Sequence, residues 1–198
     1  MNKIPLKYYV FLDEINTLIK KNILKFKNIN IIINTSDDEI RALDIELEII
    51  KFAKKENIPF LLKNNFSKCQ RYRANGIFID SKNKKITKPM LLKKNFTIVG
   101  SAHNQIEYSN KKMQNCRLIM LSPIFNNDKY SENRVLNIKK FNQISLNWEL
   151  DLCALGGINS NNLKKIKLTR SKAAGFKRFI FEPQIKKPAC KLIQAGFY

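Results

Sequence analysis

Short apolar runs rich in β-branched and aromatic residues recur along the chain at near-even spacing. They are KYYVFL (7–12), INIIIN (29–34), PFLLK (59–63), GIFID (76–80), FTIVGSA (96–102), RLIMLSP (117–123), DLCALG (151–156) and FKRFIF (176–181). Each is the length of one strand buried on both faces. Between them the spacing turns helical, most clearly in DDEIRALDIELEIIKFAKKEN (37–57). There Ile40, Leu43, Leu47, Ile50 and Ala53 form one stripe and acidic residues crowd the first turn, where they suit the helix dipole. Further helices are predicted over 14–26, 66–74, 87–95, 104–115, 135–149, 161–169 and 184–196.

Regular alternation of strand and helix implies parallel strands joined by helical crossovers. Closing such a sheet predicts an α/β protein, a single (β/α)8 TIM barrel spanning residues 1–198. Typical barrels run to about 250 residues, so this is a short version with helices of two or three turns. An open doubly wound sheet is the alternative, but near-equal units with no diverging half favour closure. Barrel chemistry sits at the C-terminal ends of the strands. The residues to inspect there are Asp13, Asn34, Ser36, Lys63, Asn64, Asp80, Ser101, His103, Ser122, Lys129, Gly156, Gly157 and Arg178.

Charge complicates the picture. The 198 residues carry 37 Lys+Arg against 16 Asp+Glu, a formal net charge of +21. Such a balance ordinarily points to nucleic acid or another polyanion, and a basic nucleic-acid-associated protein is one reading. Against it, only seven of the basic residues are arginine and the lysines are spread over nearly every predicted helix. Lysine, isoleucine and asparagine share A/T-rich codons, so genome composition can raise all three together. No apolar stretch approaches a membrane span, and MNKIPLKYYVFLDE has no signal-peptide pattern, so a cytoplasmic protein without a membrane partner is expected. Cys69, Cys116, Cys153 and Cys190 lie far apart, and His103 is the single histidine. That argues against a zinc site or a disulfide framework and for buried, inert thiols.

One stretch has two readings. In LDLCALGGINSNNLKKI (150–166) the pair Gly156–Gly157 sits between a strand and a polar segment that looks like a helix start. The pair is either a turn needing positive φ or a place where bare N–H groups beside a helix N-terminus meet a phosphate.

Three stretches in order, IVGSAHN (98–104), LSPIFNNDK (121–129) and LGGINSNN (155–162), resemble the thiamine-phosphate synthase and TenI-like family. ENIPFLLKNNFSKCQRYRANGIFID also runs without gaps against that family's strand 3 to strand 4 segment. The resemblance implies a (β/α)8 barrel acting on phosphorylated small molecules. The synthase joins hydroxymethylpyrimidine diphosphate to a thiazole phosphate. Ser101 and Lys129 are then placed near a phosphate or diphosphate as catalytic residues, with His103 as a general base or a helix cap. Gly156 and Gly157 hold the thiazole phosphate, and Asn34, Ser36, Lys63, Asn64, Ser122 and Arg178 line the substrate site.

The resemblance also implies Mg²⁺ on two aspartates and a Gln-x-Arg-x-Lys motif after strand 2. Here the aspartate positions are Asn64 and Asn83, and the motif positions are Ile32, Asn34 and Ser36. Neutral amides are poor magnesium ligands, so the metal is expected only if Asp80, Asp13 or Asp37 supplies it from a shifted position. At the end of strand 8 the family's Val-Ser is replaced within RFIF, where Ile180 stands for the serine and Arg178 or Lys177 can supply charge. The TenI branch, a thiazole tautomerase, needs no metal, but its acid–base histidine falls at Pro123. The expectation is a divergent synthase-like protein of thiamine biosynthesis, with a non-catalytic or TenI-type thiazole-phosphate-binding barrel as the alternative.

Overall fold

The computed structural model describes residues 6–35, 40–85, 95–126 and 135–180. Ser36, Lys129 and Cys190, the helix expected over 184–196, and all but the last residue of that over 87–95 lie outside this set. Eight strands are described with helices in most of the connections between them: β1 (Lys7–Leu12), α1 (Thr17–Ile23), β2 (Ile29–Ile33), α2 (Ile40–Lys55), β3 (Phe60–Lys63), α3 (Phe66–Tyr72) and β4 (Gly76–Ile79) come first. β5 (Thr97–Ser101), α4 (Gln105–Met113), β6 (Leu118–Leu121), α5 (Asn137–Asn147), β7 (Asp151–Leu155) and β8 (Ala173–Phe176) follow, with 3-10 helices at Leu163–Leu168 and Arg178–Ile180. Every strand pairs in parallel with the next, and β8 pairs back onto β1 with Val10 opposite Phe176, so the sheet is a closed barrel.

The alternation of side chains along the strands separates two cores. Tyr9, Phe11, Ile32, Leu61, Phe78, Val99, Leu118, Met120, Cys153 and Ala173 pack together inside the barrel. The intervening residues, such as Val10, Ile31, Leu62, Ile77 and Ile119, face outward and pack under the helices with Ile19, Ile49 and Phe141. This is the period-two pattern expected of a sheet buried on both faces. Asparagines organise the connections. Asn16, Asn65 and Asn104 cap α1, α3 and α4, each accepting a backbone N–H at 2.9 Å. Of the six non-glycine residues with positive φ among the described residues, five are asparagine: Asn28, Asn57, Asn64, Asn115 and Asn137. Asparagine tolerates that region better than most residues, so its abundance has a structural use beyond codon composition.

The structure corrects three expectations. The eighth strand is Ala173–Phe176, not 176–181. Small residues enter the sheet there because neighbouring side chains leave little room; a Cβ on Gly175 would lie 3.0 Å from Leu155 Cδ1. The bulky run that looked like a strand instead turns outward, with Phe179 packed edge-on against Phe26 and Phe176. Residues 161–169 form a 3-10 helix over Leu163–Leu168 and not an α-helix. In α2 the buried face runs through Ala42, Glu46, Ile49 and Ala53, while Leu43 is 43% exposed. A carboxylate on the buried face had disguised the stripe; Glu46 Oε2 accepts from Thr35 Oγ1 and pairs with Lys68 Nζ at 3.1 Å. The acidic residues Asp37, Asp38 and Glu39 precede α2 and lie outside the described residues.

Candidate functional site at the barrel mouth

The strand alternation that points Leu61, Phe78, Val99 and Met120 inward also selects the residues two positions on. These are Lys63, Asp80, Ser101 and Ser122; on β1, β2 and β8 the same parity selects Asp13, Asn34 and Lys177. A polar ring thus crowns an apolar barrel interior, in the place where a barrel carries its chemistry. Six of these seven were singled out in the sequence. Lys177 was only a neighbour of the favoured Arg178, and it emerges because β8 ends at Phe176. Arg178 instead begins the following 3-10 helix.

Two acid–base pairs are built into the ring. The Lys177 ammonium donates to Asp13 Oδ2, joining β8 to β1. Lys63 Nζ lies 3.8 Å from Asp80 Oδ2, joining β3 to β4. Ser101, the last residue of β5, is buried. His103 stands just past it and is half-exposed, with Nδ1 3.9 Å from Glu107 Oε2. Its backbone N–H donates to Glu107 Oε2 at 2.7 Å, and Asn104 Oδ1 accepts from the Glu107 N–H at 2.9 Å. The two bonds cap the start of α4, with the Glu107 carboxylate reaching back to the N–H one residue before the Asn104 cap.

Gly156 and Gly157 have φ of +91° and +70°. They lie against the loop that follows β6, where Phe125 N–H donates to Gly156 O and Ile124 N–H to Leu155 O. A Cβ on Gly157 would fall 2.3 Å from Phe125 O and 2.6 Å from Asn126 O. Both conformation and close backbone approach therefore demand glycine. No α-helix starts behind the pair: Asn159 and Asn162 cross-bond in a polar turn, Asn162 Nδ2 donates to Gly157 O at 2.7 Å, and only a 3-10 helix follows. A helix-dipole site is absent there. The N–H groups of the two glycines have no hydrogen-bond partner among the described residues. The turn requirement and an anion contact through N–H are thus compatible, since the Cβ direction and the N–H groups are separate features of the same residues.

The two family aspartate positions come together although they are 19 residues apart, with Asn83 Nδ2 donating to Asn64 Oδ1 at 3.3 Å. Both residues close on Asp80, Asn64 through its side chain and Asn83 through its backbone. Asn64 Nδ2 donates to Asp80 Oδ2 at 2.8 Å, Asp80 N–H donates to Asn64 Oδ1 at 3.1 Å, and Asn83 N–H donates to Asp80 Oδ1 at 3.0 Å. Behind this cluster Lys111 is fully buried, donating to Asn83 O and Gln114 Oε1 at 2.8 Å each. Burial holds its ammonium below the ordinary lysine range. These residues do not fit a magnesium ion. The one carboxylate already accepts from donors on both oxygens, an ammonium stands beside it, and no group of three His, Cys, Asp or Glu side chains gathers among the described residues. Asp13 is likewise engaged by Lys177.

Other candidates fall away from the mouth. Cys69, Cys116 and Cys153 are buried, and burial raises the thiols of the first two to about 12, as expected of inert packing residues. A concavity of about 570 Å³ opens at the opposite end of the barrel, lined by strand beginnings such as Lys7, Asn30 and Pro59. Nothing in its lining brings reactive groups together. No helix among the described residues is long and apolar enough to cross a membrane.

Fold and mouth together define a short (β/α)8 barrel with a polar, doubly ion-paired rim over a closed apolar interior. The chain belongs to the thiamine monophosphate synthase family, whose sequence model matches residues 20–176. Over 121 residues it is 30% identical to a thiamine-phosphate synthase of Prochlorococcus marinus. That match covers 61% of this chain and 35% of the relative. A second thiamine-phosphate synthase, from another strain of P. marinus, is 26% identical over 122 residues, again 35% of its length. The chain thus spans about a third of the curated relatives it matches. Among solved structures, a thiamine phosphate pyrophosphorylase from Pyrococcus furiosus superposes with a TM-score of 0.65 at 16% identity, covering 87% of this chain and 86% of the other. At that identity the likeness speaks for the fold alone.

Proposed function

We propose that the protein is a divergent thiamine-phosphate synthase-like transferase of thiamine biosynthesis. In this reading it holds a thiazole phosphate and couples it to hydroxymethylpyrimidine diphosphate. A C–N bond forms at the thiazole nitrogen as the C–O bond to the diphosphate breaks, and pyrophosphate leaves with the electron pair. One observation carries the reading. The three stretches that resemble the family end β5, β6 and β7, three consecutive strands, and so bring Ser101, Ser122 and the Gly156–Gly157 pair to one arc of the same rim.

Within this reading the glycine amides receive the thiazole phosphate, and Lys177, the first residue after β8 and so beside the end of β7, supplies a charged donor where the family's strand 8 serine offers a neutral hydroxyl. Ser101 sits inside the rim to contact the diphosphate end, with His103 as the nearby base, and Lys129, outside the described residues, keeps the cationic role that the resemblance implies. The amides at Asn64 and Asn83 favour a second reading, a phosphate-binding barrel that no longer couples the two halves. Calorimetric titration with thiazole phosphate followed by a coupling assay with hydroxymethylpyrimidine diphosphate separates them. Product formation that Ser101→Ala reduces supports the transferase. Binding without product supports the second reading, and absence of thiazole phosphate binding rejects both.

A further inference from the structure

The resemblance calls for a divalent cation beside Asn64 and Asn83, and the structure puts something else there. Each Asp-to-Asn replacement removes one negative charge from the pocket. What remains is the single carboxylate of Asp80, whose oxygens accept from Asn64 Nδ2 and from the Asn83 N–H. Lys63 occupies the inward position at the end of β3, with Nζ 3.8 Å from Asp80 Oδ2. That distance is an ion pair without a tight hydrogen bond. Asp80 therefore orients the ammonium, and no hydrogen-bond acceptor among the described residues occupies its N–H donors. Lys111 adds a second, buried cation on the far side of Asn83. A divalent cation entering here would meet amide hydrogens and the Lys63 ammonium, with Lys111 buried behind them; an anion would meet the partly exposed ammonium of Lys63 at the mouth.

We infer that Lys63, held by Asp80 within the Asn64–Asn83 amide cluster, is an anion-binding residue that takes the place of the metal and receives a phosphoryl or diphosphate group without Mg²⁺. The inference deepens the functional reading above, naming what neutralises the diphosphate. Two aspartates with a divalent cation sum to neutrality; here the one carboxylate of Asp80 stands against the ammonium groups of Lys63 and Lys111, so the balance is positive and suits an anion. The long lysine stem also lets the ammonium follow the group it binds.

The test uses the full chain and two probes. Inorganic pyrophosphate is titrated calorimetrically in EDTA, and Mn²⁺ binding is followed by the loss of its free-ion electron paramagnetic resonance signal. Expected are metal-free pyrophosphate binding, a roughly tenfold to hundredfold weakening in Lys63→Gln with partial recovery in Lys63→Arg, and no Mn²⁺ uptake. The triple variant Lys63→Asn, Asn64→Asp, Asn83→Asp is expected to gain Mn²⁺ binding. Pyrophosphate binding only when a metal is added, unchanged affinity in Lys63→Gln, or Mn²⁺ binding that Asp80→Asn abolishes would each overturn the inference. Circular dichroism of each variant guards against loss of fold. Thiazole phosphate, titrated separately, probes the other arc of the rim. If it fails to bind while the pyrophosphate results hold, the functional reading falls and the Lys63 site stands; the opposite pattern leaves the glycine-pair reading in place and removes this one.

Discussion

Lys177, the first residue after β8, donates to the carboxylate of Asp13, the first residue after β1, so the two ends of the sheet are tied where the barrel closes. The pair lies beside the Gly156–Gly157 turn of β7, on the adjoining strand. Both side chains are about two-fifths exposed, so the tie contributes under about 1 kcal/mol to stability. Its larger role is to place an ammonium at the rim. Lys177→Met is expected to weaken thiazole phosphate binding roughly tenfold while shifting the melting temperature by no more than about 4 °C. Isothermal titration and a thermal scan check the two together.

Gly157→Ala tests the glycine pair. The substitution places a methyl group within 2.3 Å of Phe125 O at a φ of +70°. Either the loop after β6 moves or the turn does, at a cost on the order of 3 kcal/mol. For a chain of this size that is a fall of roughly 6–12 °C in melting temperature. Gly156→Ala, with its nearest approach of 2.9 Å to Pro123 Cα, is expected to fall less far.

Tyr108 ties α4 to the start of β7. Its ring stacks on Trp148 with centroids 4.3 Å apart, and its hydroxyl accepts from Glu149 N–H at 2.9 Å and Leu150 N–H at 3.3 Å. Tyr108→Phe keeps the stack and leaves those two donors without the hydroxyl, so a loss of about 1–2 kcal/mol is expected. Denaturant unfolding followed by fluorescence of Trp148, the only tryptophan in the chain, reports it directly.

The buried ammonium of Lys111 predicts a pH signature. Its pKa lies below the ordinary lysine value in the folded chain because burial penalises the charged form. The unfolded chain thus holds this proton more tightly, so stability rises with pH between the lowered folded value and about 10.5. Below that window the contribution is flat. Subtracting the unfolding free energy of Lys111→Met from that of the wild type removes the other lysines; the difference is expected to move in favour of the wild type as pH approaches 10. A difference that falls over that range would contradict the assignment.

Much of the barrel was legible because its cause is local. Runs such as INIIIN and GIFID are apolar at nearly every position, which suits strands covered on both sides, and spacing alone locates seven of the eight. The eighth was misplaced because volume and not hydrophobicity decided it. Ala173, Ala174 and Gly175 fit beside Leu155 and Cys153, whereas the bulkier Phe179 and Ile180 pack outside. The inner face of α2 was misread for a related reason: Glu46 is buried, and its partners Thr35 and Lys68 come from other segments that no helical period reveals.

Individual site residues divide the same way. The sequence by itself determined that strands alternate with helices, that the strand ends carry Asp13, Lys63, Asp80, Ser101 and Ser122, and that the family aspartate positions hold amides. Those are properties of single positions and of spacing. Only the tertiary structure decided that Lys177 and not Arg178 occupies the rim of β8, that Asn64 and Asn83 close on Asp80, and that the glycine pair fits against Phe125 and Asn126. Each depends on which strand lies beside which and on how far each strand runs. Neighbouring strand ends set contacts over a few ångströms between residues far apart in the chain, and barrel closure is what makes β8 a neighbour of β1.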